Sequence, residues 1–295
     1  MKTKTAMITI AGRPNVGKST LTNYLVGEKI AIVSNKPQTT RNRICGILTK
    51  DDTQFVFVDT PGYHRARTKL GDYMVNVARD SIADVDLTIL VVEPIPSIGP
   101  QEEGLMEKIR GSHCPAVLAI NKIDTVEKDK LLEVIALYSQ AATFDAIIPI
   151  SARTGDGVED LLAACGNYAV ESPFLFPEDA TTDQPERQVM AEIIREKILW
   201  NLEREIPHGT AVEITKFSER DNGIIDIDAT IYCEKASHKG IIIGKQGAML
   251  KKISSMARED CEKFMGTKVY LTTWVKVKEN WRDSDFLVRN FGYSE

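Results

Sequence analysis

The stretch Gly12-Arg13-Pro14-Asn15-Val16-Gly17-Lys18-Ser19 decides the fold of this 295-residue chain. An apolar run over residues 7–11 precedes it, and a helical pattern over residues 18–26 follows it. A glycine-bearing turn between a buried strand and a helix allows backbone N–H groups to converge on an anion at the helix N-terminus. The pattern therefore predicts a phosphate-binding loop, or P-loop, in which Lys18 reaches the β- and γ-phosphates of a nucleotide and Ser19 holds Mg²⁺.

The P-loop alone does not choose between ATP and GTP, nor between a metabolic kinase and a switch protein. Its nucleotide contacts are expected to come from the loop and from the first turn of the following helix. The residues expected to contact nucleotide here are Gly12, Asn15, Val16, Gly17, Lys18, Ser19 and Thr20.

The composition is that of an ordinary globular protein. Hydrophobic residues make up 43% of the sequence, and the formal net charge of −5 argues against a wholly basic nucleic-acid binder. The five cysteines are scattered without a CxxC pair and the four histidines are dispersed, so we expect reduced thiols and no zinc site. No apolar run approaches the roughly 18 residues that span a bilayer, and no signal peptide is evident, so a cytosolic location is expected.

Apolar strand patterns alternate with helical patterns from residue 1 to about residue 171. Near-continuous apolar runs separated by helices are typical of a parallel sheet covered on both faces. The runs on either side of Lys50-Asp51-Asp52-Thr53 are joined by a short polar turn, which predicts a hairpin with one antiparallel strand at the sheet edge. The predicted fold class is therefore α/β, with a doubly wound, mostly parallel sheet.

Two polar motifs after the P-loop predict a site for a nucleoside triphosphate. Gln38-Thr39-Thr40-Arg41 precedes the second strand, and a threonine there can complete Mg²⁺ coordination only when a γ-phosphate is present; the choice between Thr39 and Thr40 stays open, with Thr40 preferred. Asp59-Thr60-Pro61-Gly62 ends the third strand, which places a carboxylate near Mg²⁺ and an unobstructed N–H near the γ-phosphate. The predicted metal ligands are Ser19, Thr40 and Asp59, and the predicted catalytic residues are Lys18, Thr40, Asp59 and Gly62.

Asn121-Lys122-Ile123-Asp124 ends a later apolar strand and indicates the base. A carboxylate accepts hydrogen bonds from guanine N1–H and N2–H₂, whereas adenine would leave those acceptors unpaired. Asp124 therefore selects GTP over ATP. Ser151-Ala152 follows the last strand and is expected to place a backbone N–H near guanine O6. The predicted base contacts are Asn121, Lys122, Asp124, Ser151 and Ala152.

In this order, the motifs resemble those of the translation-factor-like GTPases: GRPNVGKS, QTTR, DTPG, NKID and SA occupy positions 12–19, 38–41, 59–62, 121–124 and 151–152. The resemblance implies binding of GTP and GDP, Mg²⁺ as cofactor, and hydrolysis of GTP. Ras-like GTPases place a water-orienting glutamine directly after the DxxG glycine, where this chain has Tyr63, so hydrolysis without an activator is expected to be slow. By analogy with relatives that carry a hydrophobic residue there, Asn15 would help to bind an activating K⁺.

The C-terminal part resembles a type II KH domain. The segment from Lys235 to Lys278 contains ten basic and three acidic residues, and it includes the GxxG motif Gly244-Lys245-Gln246-Gly247. A GxxG match is weak alone, but the surrounding order of helix, strand, strand, helix, GxxG, helix and strand is that of the KH fold, whose loop clamps an RNA backbone beside an apolar groove. The expected RNA contacts are Ile243, Gly244, Lys245, Gln246, Gly247, Lys251 and Lys252.

The combination resembles the Era family of bacterial GTPases over essentially the whole chain. The expected domains are a GTPase (G) domain over residues 1–171, a linker over 172–187 and a smaller α+β type II KH domain with a C-terminal tail over 188–295. The resemblance implies a GTP-hydrolysing switch that binds small-subunit ribosomal RNA near its 3′ end and acts in small-subunit assembly. It also implies a cytoplasmic monomer with peripheral contact to the inner membrane. Two alternatives stay open, a passive GTP-gated RNA chaperone and a membrane-associated signalling GTPase.

Overall fold

A computed structural model describes residues 2–62, 68–81 and 85–293 of the chain. Its contacts divide the chain into two compact units. The first unit contains most of the chain up to Asp183. The second unit begins at Gln184 and also includes Ile32–Thr39 and a short stretch that ends at Tyr73.

The first unit is built on a mostly parallel sheet with the strand order β2-β3-β1-β4-β5-β6. Strands β2 and β3 pair antiparallel, which confirms the predicted hairpin and its edge strand. A short strand that the sequence pattern does not predict, β7 (Val170–Glu171), pairs antiparallel with β1. The six longer strands are β1 (Lys4–Ala11), β2 (Ile44–Lys50), β3 (Thr53–Asp59), β4 (Leu87–Val92), β5 (Ala116–Ile120) and β6 (Ala146–Pro149).

Both faces of this sheet are buried under helices, which explains its nearly unbroken apolar strands. Along β4, Ile89 and Val91 belong to one core cluster, whereas Leu90 and Val92 belong to a second cluster on the opposite face. This alternation follows from the two-residue period of a strand. The confirmed fold class is therefore a doubly wound α/β sheet. The helices are α1 (Lys18–Val26), α2 (Lys69–Asp80), α3 (Pro100–Ser112), α4 (Lys128–Ala141) and α5 (Val158–Gly166).

The second unit has the chain order of a type II KH domain, as predicted. Its three-stranded sheet has the order β10-β9-β8, in which β9 and β10 are parallel and β8 is antiparallel to β9. The predicted alternation along β9 is present, since Ile225, Ile227, Ala229 and Ile231 are all buried. The elements are α6 (Glu186–Asn201), β8 (Ala211–Glu219), β9 (Ile225–Cys233), α7 (Ala236–Ile243), α8 (Ala248–Met265), β10 (Val269–Val277) and α9 (Asp285–Asn290).

Helix α6 carries three consecutive charged residues, Arg195, Glu196 and Lys197, which are all buried. Ion pairs and the polypeptide backbone compensate these charges. Glu196 Oε1 accepts a hydrogen bond from the Val33 N–H at 2.8 Å, and Arg195 donates to the Thr39 carbonyl. Buried charges of this kind require hydrogen-bonding or ionic partners. Within the second unit, the backbone of Ile32–Thr39 provides some of these hydrogen bonds. The apolar pattern of the helix gives no indication of this cluster.

The stretch over 172–187, which the sequence predicts as a linker, has contacts with the first unit along part of its length. The backbone N–H groups of Leu175 and Phe176 both donate to Gln54 Oε1, at 2.9 and 3.0 Å. In addition, the Ser172 N–H donates to the Thr3 carbonyl at 3.1 Å.

Among the described residues, no helix combines the length and the apolar character needed to cross a membrane.

The five cysteines differ in accessibility. Cys45, Cys165, Cys233 and Cys261 are buried, whereas Cys114 is partly exposed. Burial raises the pKa of Cys45 and of Cys165 to about 12 and leaves these thiols protonated at neutral pH.

We expect one thiol per native chain to react with Ellman's reagent at pH 8, and all five to react after denaturation. The reactive group is expected to be Cys114, slowed because partial burial raises its pKa as well. Replacement Cys114→Ser should remove the native phase and leave the four buried thiols, which react only after denaturation, unchanged. A native phase that survives this substitution would contradict the assignment.

Candidate functional site

The P-loop lies between β1 and α1, as predicted. Gly17 has φ of 102° at the start of α1, and a Cβ atom there would overlap the Asn121 side-chain amide. Lys18 is buried, and its Nζ donates to the carbonyls of Gly12 and Arg13 at 3.2 and 3.1 Å. Burial lowers the pKa of Lys18 to about 8, although the negative charge of Asp59 acts in the opposite direction. The ammonium group therefore sits inside the loop, where an anion would stabilise its charge.

Ser19, Thr40 and Asp59 come together beside this lysine. Ser19 Oγ donates to Asp59 Oδ2 at 2.6 Å and shares a hydrogen bond with Thr40 Oγ1 at 2.9 Å. Thr39 Oγ1 instead donates to the Lys36 carbonyl at 2.7 Å, so the geometry favours Thr40 over Thr39 as the metal-side threonine. The three predicted metal ligands are thus one hydrogen-bonded group.

Asp59 supports a cation at this position. Its carboxylate is fully buried, and within the described residues Oδ1 has no hydrogen-bond partner. Burial raises the pKa of Asp59 to about 6, while the nearby Lys18 charge acts to lower it. A buried carboxylate oxygen without a partner, next to two hydroxyl groups, is a set of hard oxygen donors that suits Mg²⁺.

Gly62 approaches the P-loop closely. A Cβ atom at this position would lie 2.7 Å from Pro14 Cα, so a side chain here would push the two loops apart. The predicted γ-phosphate donor therefore lies next to the P-loop. Tyr63 and His64 lie outside the described residues.

The predicted base-recognition motifs are joined by Asn121. Its Nδ2 donates to the Val16 carbonyl at 2.7 Å, and its Oδ1 accepts from the Ala152 N–H at 2.9 Å. Asn121 therefore ties the P-loop to the Ser151-Ala152 turn, and the N–H expected near guanine O6 already has this partner. Asp124 Oδ1 accepts from Ser151 Oγ at 2.7 Å. This hydrogen bond lowers the pKa of Asp124 and keeps the carboxylate ionised as an acceptor.

Sequence patterns missed a further contact of Asp124. Arg153 Nη2 donates to Asp124 Oδ2 at 2.6 Å, although the Arg153 side chain is largely exposed. The available signal was its position directly after Ser151-Ala152. A base that binds to the Asp124 carboxylate would share that carboxylate with Arg153. Arg153 also adds a positive charge to this edge of the site.

The GxxG loop forms the second candidate site, between α7 and α8. Gly244 has φ of 72°, and a Cβ atom there would lie 2.7 Å from Met249 Cβ. Gln246 and Gly247 also have positive φ values, of 53° and 79°. The loop therefore presents its backbone in a tight turn that a side chain at Gly244 would disrupt. Ile243 packs partly against the apolar core beside the loop.

The basic segment divides into paired and unpaired charges. Arg258 and Lys268 form ion pairs with Glu262, and Lys263 pairs with Asp260, all toward the far end of α8 or beyond it. In contrast, Lys245, Gln246, Lys251 and Lys252 are exposed, and the described residues give these three lysines no acidic partner. Three exposed lysines without an ion pair therefore lie at the GxxG loop and near the N-terminus of α8, where the helix dipole adds to their positive charge.

Both parts of the chain match known protein families. Residues 7–122 match the model described as "50S ribosome-binding GTPase", and residues 205–282 match the KH domain model. GTPase Era of Ruminiclostridium cellulolyticum is 52% identical over 293 residues, which cover 99% of this chain and 98% of the relative. GTPase Era of Clostridium kluyveri is 51% identical over 290 residues, covering 98% of this chain and 99% of the relative.

Two crystal structures resemble the whole chain. One is Aquifex aeolicus Era carrying the Y63A substitution and bound to GDP·AlF₄⁻. The other is Era in complex with MgGDPNP and nucleotides 1506–1542 of 16S ribosomal RNA. Each has a TM-score of 0.94 and 36% sequence identity, and each match covers 99% of this chain and 100% of the other.

Proposed function

Because the chain belongs to the Era family of GTPases, we propose that it is a GTP-hydrolysing switch that binds small-subunit ribosomal RNA near its 3′ end and acts in small-subunit assembly. The observation that carries this proposal is the presence, in one chain, of a guanine-nucleotide site and of an exposed basic GxxG loop in a KH domain. In the second unit, the loop has the form and charge that an RNA backbone requires.

At the nucleotide site, each residue has a proposed role. Lys18 holds the β- and γ-phosphates, and the backbone of the P-loop and of Gly62 donates N–H groups to phosphate oxygens. Ser19, Thr40 and Asp59 would hold Mg²⁺, which when bound neutralises charge on the phosphates. Asp124 accepts hydrogen bonds from guanine, and Asn121 keeps the base site aligned with the P-loop.

At the KH site, Lys245, Lys251 and Lys252 contact phosphates, and Ile243 borders an apolar surface for unstacked bases. The Era homologue described above binds nucleotides 1506–1542 of 16S ribosomal RNA. We extend that RNA class to this chain because the family match spans its whole length. We propose a domain organisation with a G domain over residues 1–171, a linker over 172–187 and a KH domain over 188–295.

We propose that nucleotide and RNA binding are coupled through the chain itself. The segment Ile32–Thr39 belongs to the second unit, where Arg195 and Glu196 hold its backbone. The next residue, Thr40, is the proposed Mg²⁺ ligand. A change in Thr40 on loss of the γ-phosphate would therefore act directly on a segment that packs against α6.

Addition of RNA from the 3′ end of the small-subunit ribosomal RNA should accelerate GTP hydrolysis at least about tenfold through the proposed coupling at Thr40. We expect unaided hydrolysis to be slow because Tyr63, and not glutamine, follows Gly62. Phosphate release is measured with the full chain, with this RNA, with a shuffled RNA of equal length and with no RNA. The variant Lys18→Ala should show no hydrolysis in any mixture, which controls for contaminating GTPases.

Equal rates with and without the specific RNA would contradict the coupling and favour the passive, GTP-gated chaperone. Acceleration by both RNAs alike would contradict specific recognition of the 3′ end.

We also propose a cytoplasmic monomer that makes peripheral contact with the inner membrane, and activation by K⁺ at Asn15. These parts rest on the family resemblance.

A further inference from the structure

Glu93 connects two motifs of the nucleotide site without belonging to either. It directly follows β4, and its side chain is 20% exposed. One carboxylate oxygen pairs with Arg13 of the P-loop, and the other pairs with Lys122 of the base-recognition motif. Lys122 Nζ also donates to the Asn15 carbonyl at 2.7 Å. Glu93 is therefore the shared anion between two cations that lie on different loops.

A second carboxylate provides a natural comparison. Glu102, on α3, pairs with Arg13 Nε at 2.8 Å and is buried. Arg13 is thus held by two carboxylates. Within the described residues, however, Lys122 pairs with Glu93 and has no ion pair with Glu102. Removal of the Glu102 carboxylate therefore affects only Arg13. Removal of the Glu93 carboxylate affects Arg13 and also breaks the connection to Lys122.

The backbone at both ends of this connection is left-handed. Asn15 has φ of 67°, which asparagine adopts more readily than most residues, whereas Lys122 has φ of 66°, which a lysine rarely adopts. Such conformations persist when surrounding contacts hold them in place. The Lys122 Nζ hydrogen bond joins these two residues directly, and Glu93 fixes the ammonium group that makes it.

We propose that Glu93 is a positioning residue for nucleotide binding: by pairing with Arg13 and Lys122 together, it sets the P-loop and the guanine-recognition loop in register before nucleotide arrives. The inference rests on guanine-nucleotide binding at this site and is independent of RNA. Glu93 has no proposed contact with nucleotide. Its effect is exerted through the Asn15 carbonyl and the position of Lys122.

The test compares Glu93→Gln with Glu102→Gln in the full chain, using the affinity for fluorescent mant-GDP and steady-state GTP hydrolysis. Glu93→Gln should weaken mant-GDP binding about tenfold and raise KM to a similar extent, because it removes charge-assisted hydrogen bonds on both loops. Its kcat should stay within about twofold of the parent value. The loss of loop positioning should weaken binding of the substrate and of the transition state to the same extent. Glu102→Gln should change affinity less than about threefold, because Arg13 keeps its pair with Glu93 and the Glu93–Lys122 pair is untouched.

A double-mutant cycle separates positioning from a general loss of structure. In the background of Lys122→Met, Glu93→Gln should have less than about a third of its effect on mant-GDP affinity, because the connection is already lost. If Lys122→Met binds too weakly to measure, Arg13→Gln replaces it in the cycle. Multiplicative effects in the cycle, or equal losses in Glu93→Gln and Glu102→Gln, would overturn the proposal.

Two controls keep the outcomes distinct. Thermal unfolding without nucleotide should give the same midpoint for the parent and Glu93→Gln within about 2 °C, and a larger shift would assign the loss to stability instead. If the parent itself fails to bind mant-GDP, the nucleotide site as a whole is wrong. If the parent binds and Glu93→Gln binds equally well, only the role of Glu93 is wrong.

Discussion

The double substitution of Lys245→Asp with Gln246→Asp is expected to abolish specific RNA binding and leave GTP binding unchanged. Both side chains are exposed at the GxxG loop. Two carboxylates within about 4 Å of RNA phosphates each repel by about 1 kcal/mol in water and by about 4 kcal/mol near a protein surface. Together with the lost attraction of Lys245, we expect the affinity to fall at least about 100-fold.

The structural setting makes this the most sensitive place in the basic segment. Gly244 and Gly247 have positive φ values and bring the loop backbone to the surface between α7 and α8. The exposed lysines Lys251 and Lys252 follow near the start of α8. Within the described residues these lysines form no ion pair, so their charge remains available to attract phosphate.

The measurement is fluorescence anisotropy of a labelled RNA from the 3′ end of the small-subunit ribosomal RNA, over a range of salt concentrations. The control variant is Lys263→Asp, in the last turn of the same helix, where the lysine pairs with Asp260. The control should lose less than about fivefold in affinity, because it lies about 20 Å or more along the helix from the loop. Similar losses in both variants would indicate general attraction by the whole domain and would contradict a clamp at GxxG.

The fold was predictable because its local signals agree with each other. The apolar run before Gly12, the glycine turn and the helix from Lys18 give strand, loop and helix in that order, and the observed α1 covers Lys18–Val26. The antiparallel hairpin was predictable from a turn of two residues between β2 and β3. By contrast, β7 has only two residues, Val170–Glu171, and is defined by its pairing with β1, which no local pattern encodes.

The candidate site was predictable where a motif carries the chemistry, and unpredictable where distant residues carry the connections. Ser19, Thr40 and Asp59 were predicted as a group, and their side chains are hydrogen-bonded to one another. Glu93 and Glu102 stand outside every motif, so only the folded sheet shows that both reach Arg13. A charged residue at the end of an apolar strand is usually solvated, and nothing in the sequence distinguishes Glu93 from such a residue.

The buried charges of α6 show the same limit. Their neighbours at Ile193, Ile194 and Ile198 give an ordinary amphipathic pattern, which places Arg195, Glu196 and Lys197 on the polar face of the helix. They are buried because Ile32–Thr39 and Asp260 cover them. Burial that depends on a segment more than 150 residues away is a tertiary effect, and helix periodicity carries no information about it.

The substitution Asp124→Asn should change the nucleotide preference from guanine to xanthine. Guanine offers N1–H and N2–H₂ to the carboxylate, and an amide would present its own NH₂ group to one of these donors. The amide NH₂ would then face a guanine N–H group, so the charge-assisted hydrogen bond of the carboxylate is lost and both donors are left unpaired. We therefore expect GTP affinity to fall about 1,000-fold or more. Xanthine carries a carbonyl in place of the 2-amino group, and the new amide can donate to it.

The surroundings of Asp124 support an effect that is specific to the base. Ser151 Oγ donates to Oδ1, and it can continue to donate to the amide oxygen. The ion pair with the exposed Arg153 is lost, but an exposed pair of this kind contributes no more than about 1 kcal/mol, far below the expected change. The proposed contacts of Lys18 with the phosphates and of Ser19 with Mg²⁺ are untouched, so binding of a xanthine nucleotide should retain its dependence on Lys18.

Competition assays against bound mant-GDP and hydrolysis assays with GTP and XTP measure the change. The control Asp129→Asn alters an exposed carboxylate at the start of α4 and should keep the parent's preference for GTP. Hydrolysis of XTP by Asp124→Asn should also be accelerated by the ribosomal RNA, because the base-recognition loop is outside the proposed coupling through Thr40. Retained GTP affinity, or equal loss for both nucleotides without a gain for xanthine, would show that another residue reads the base.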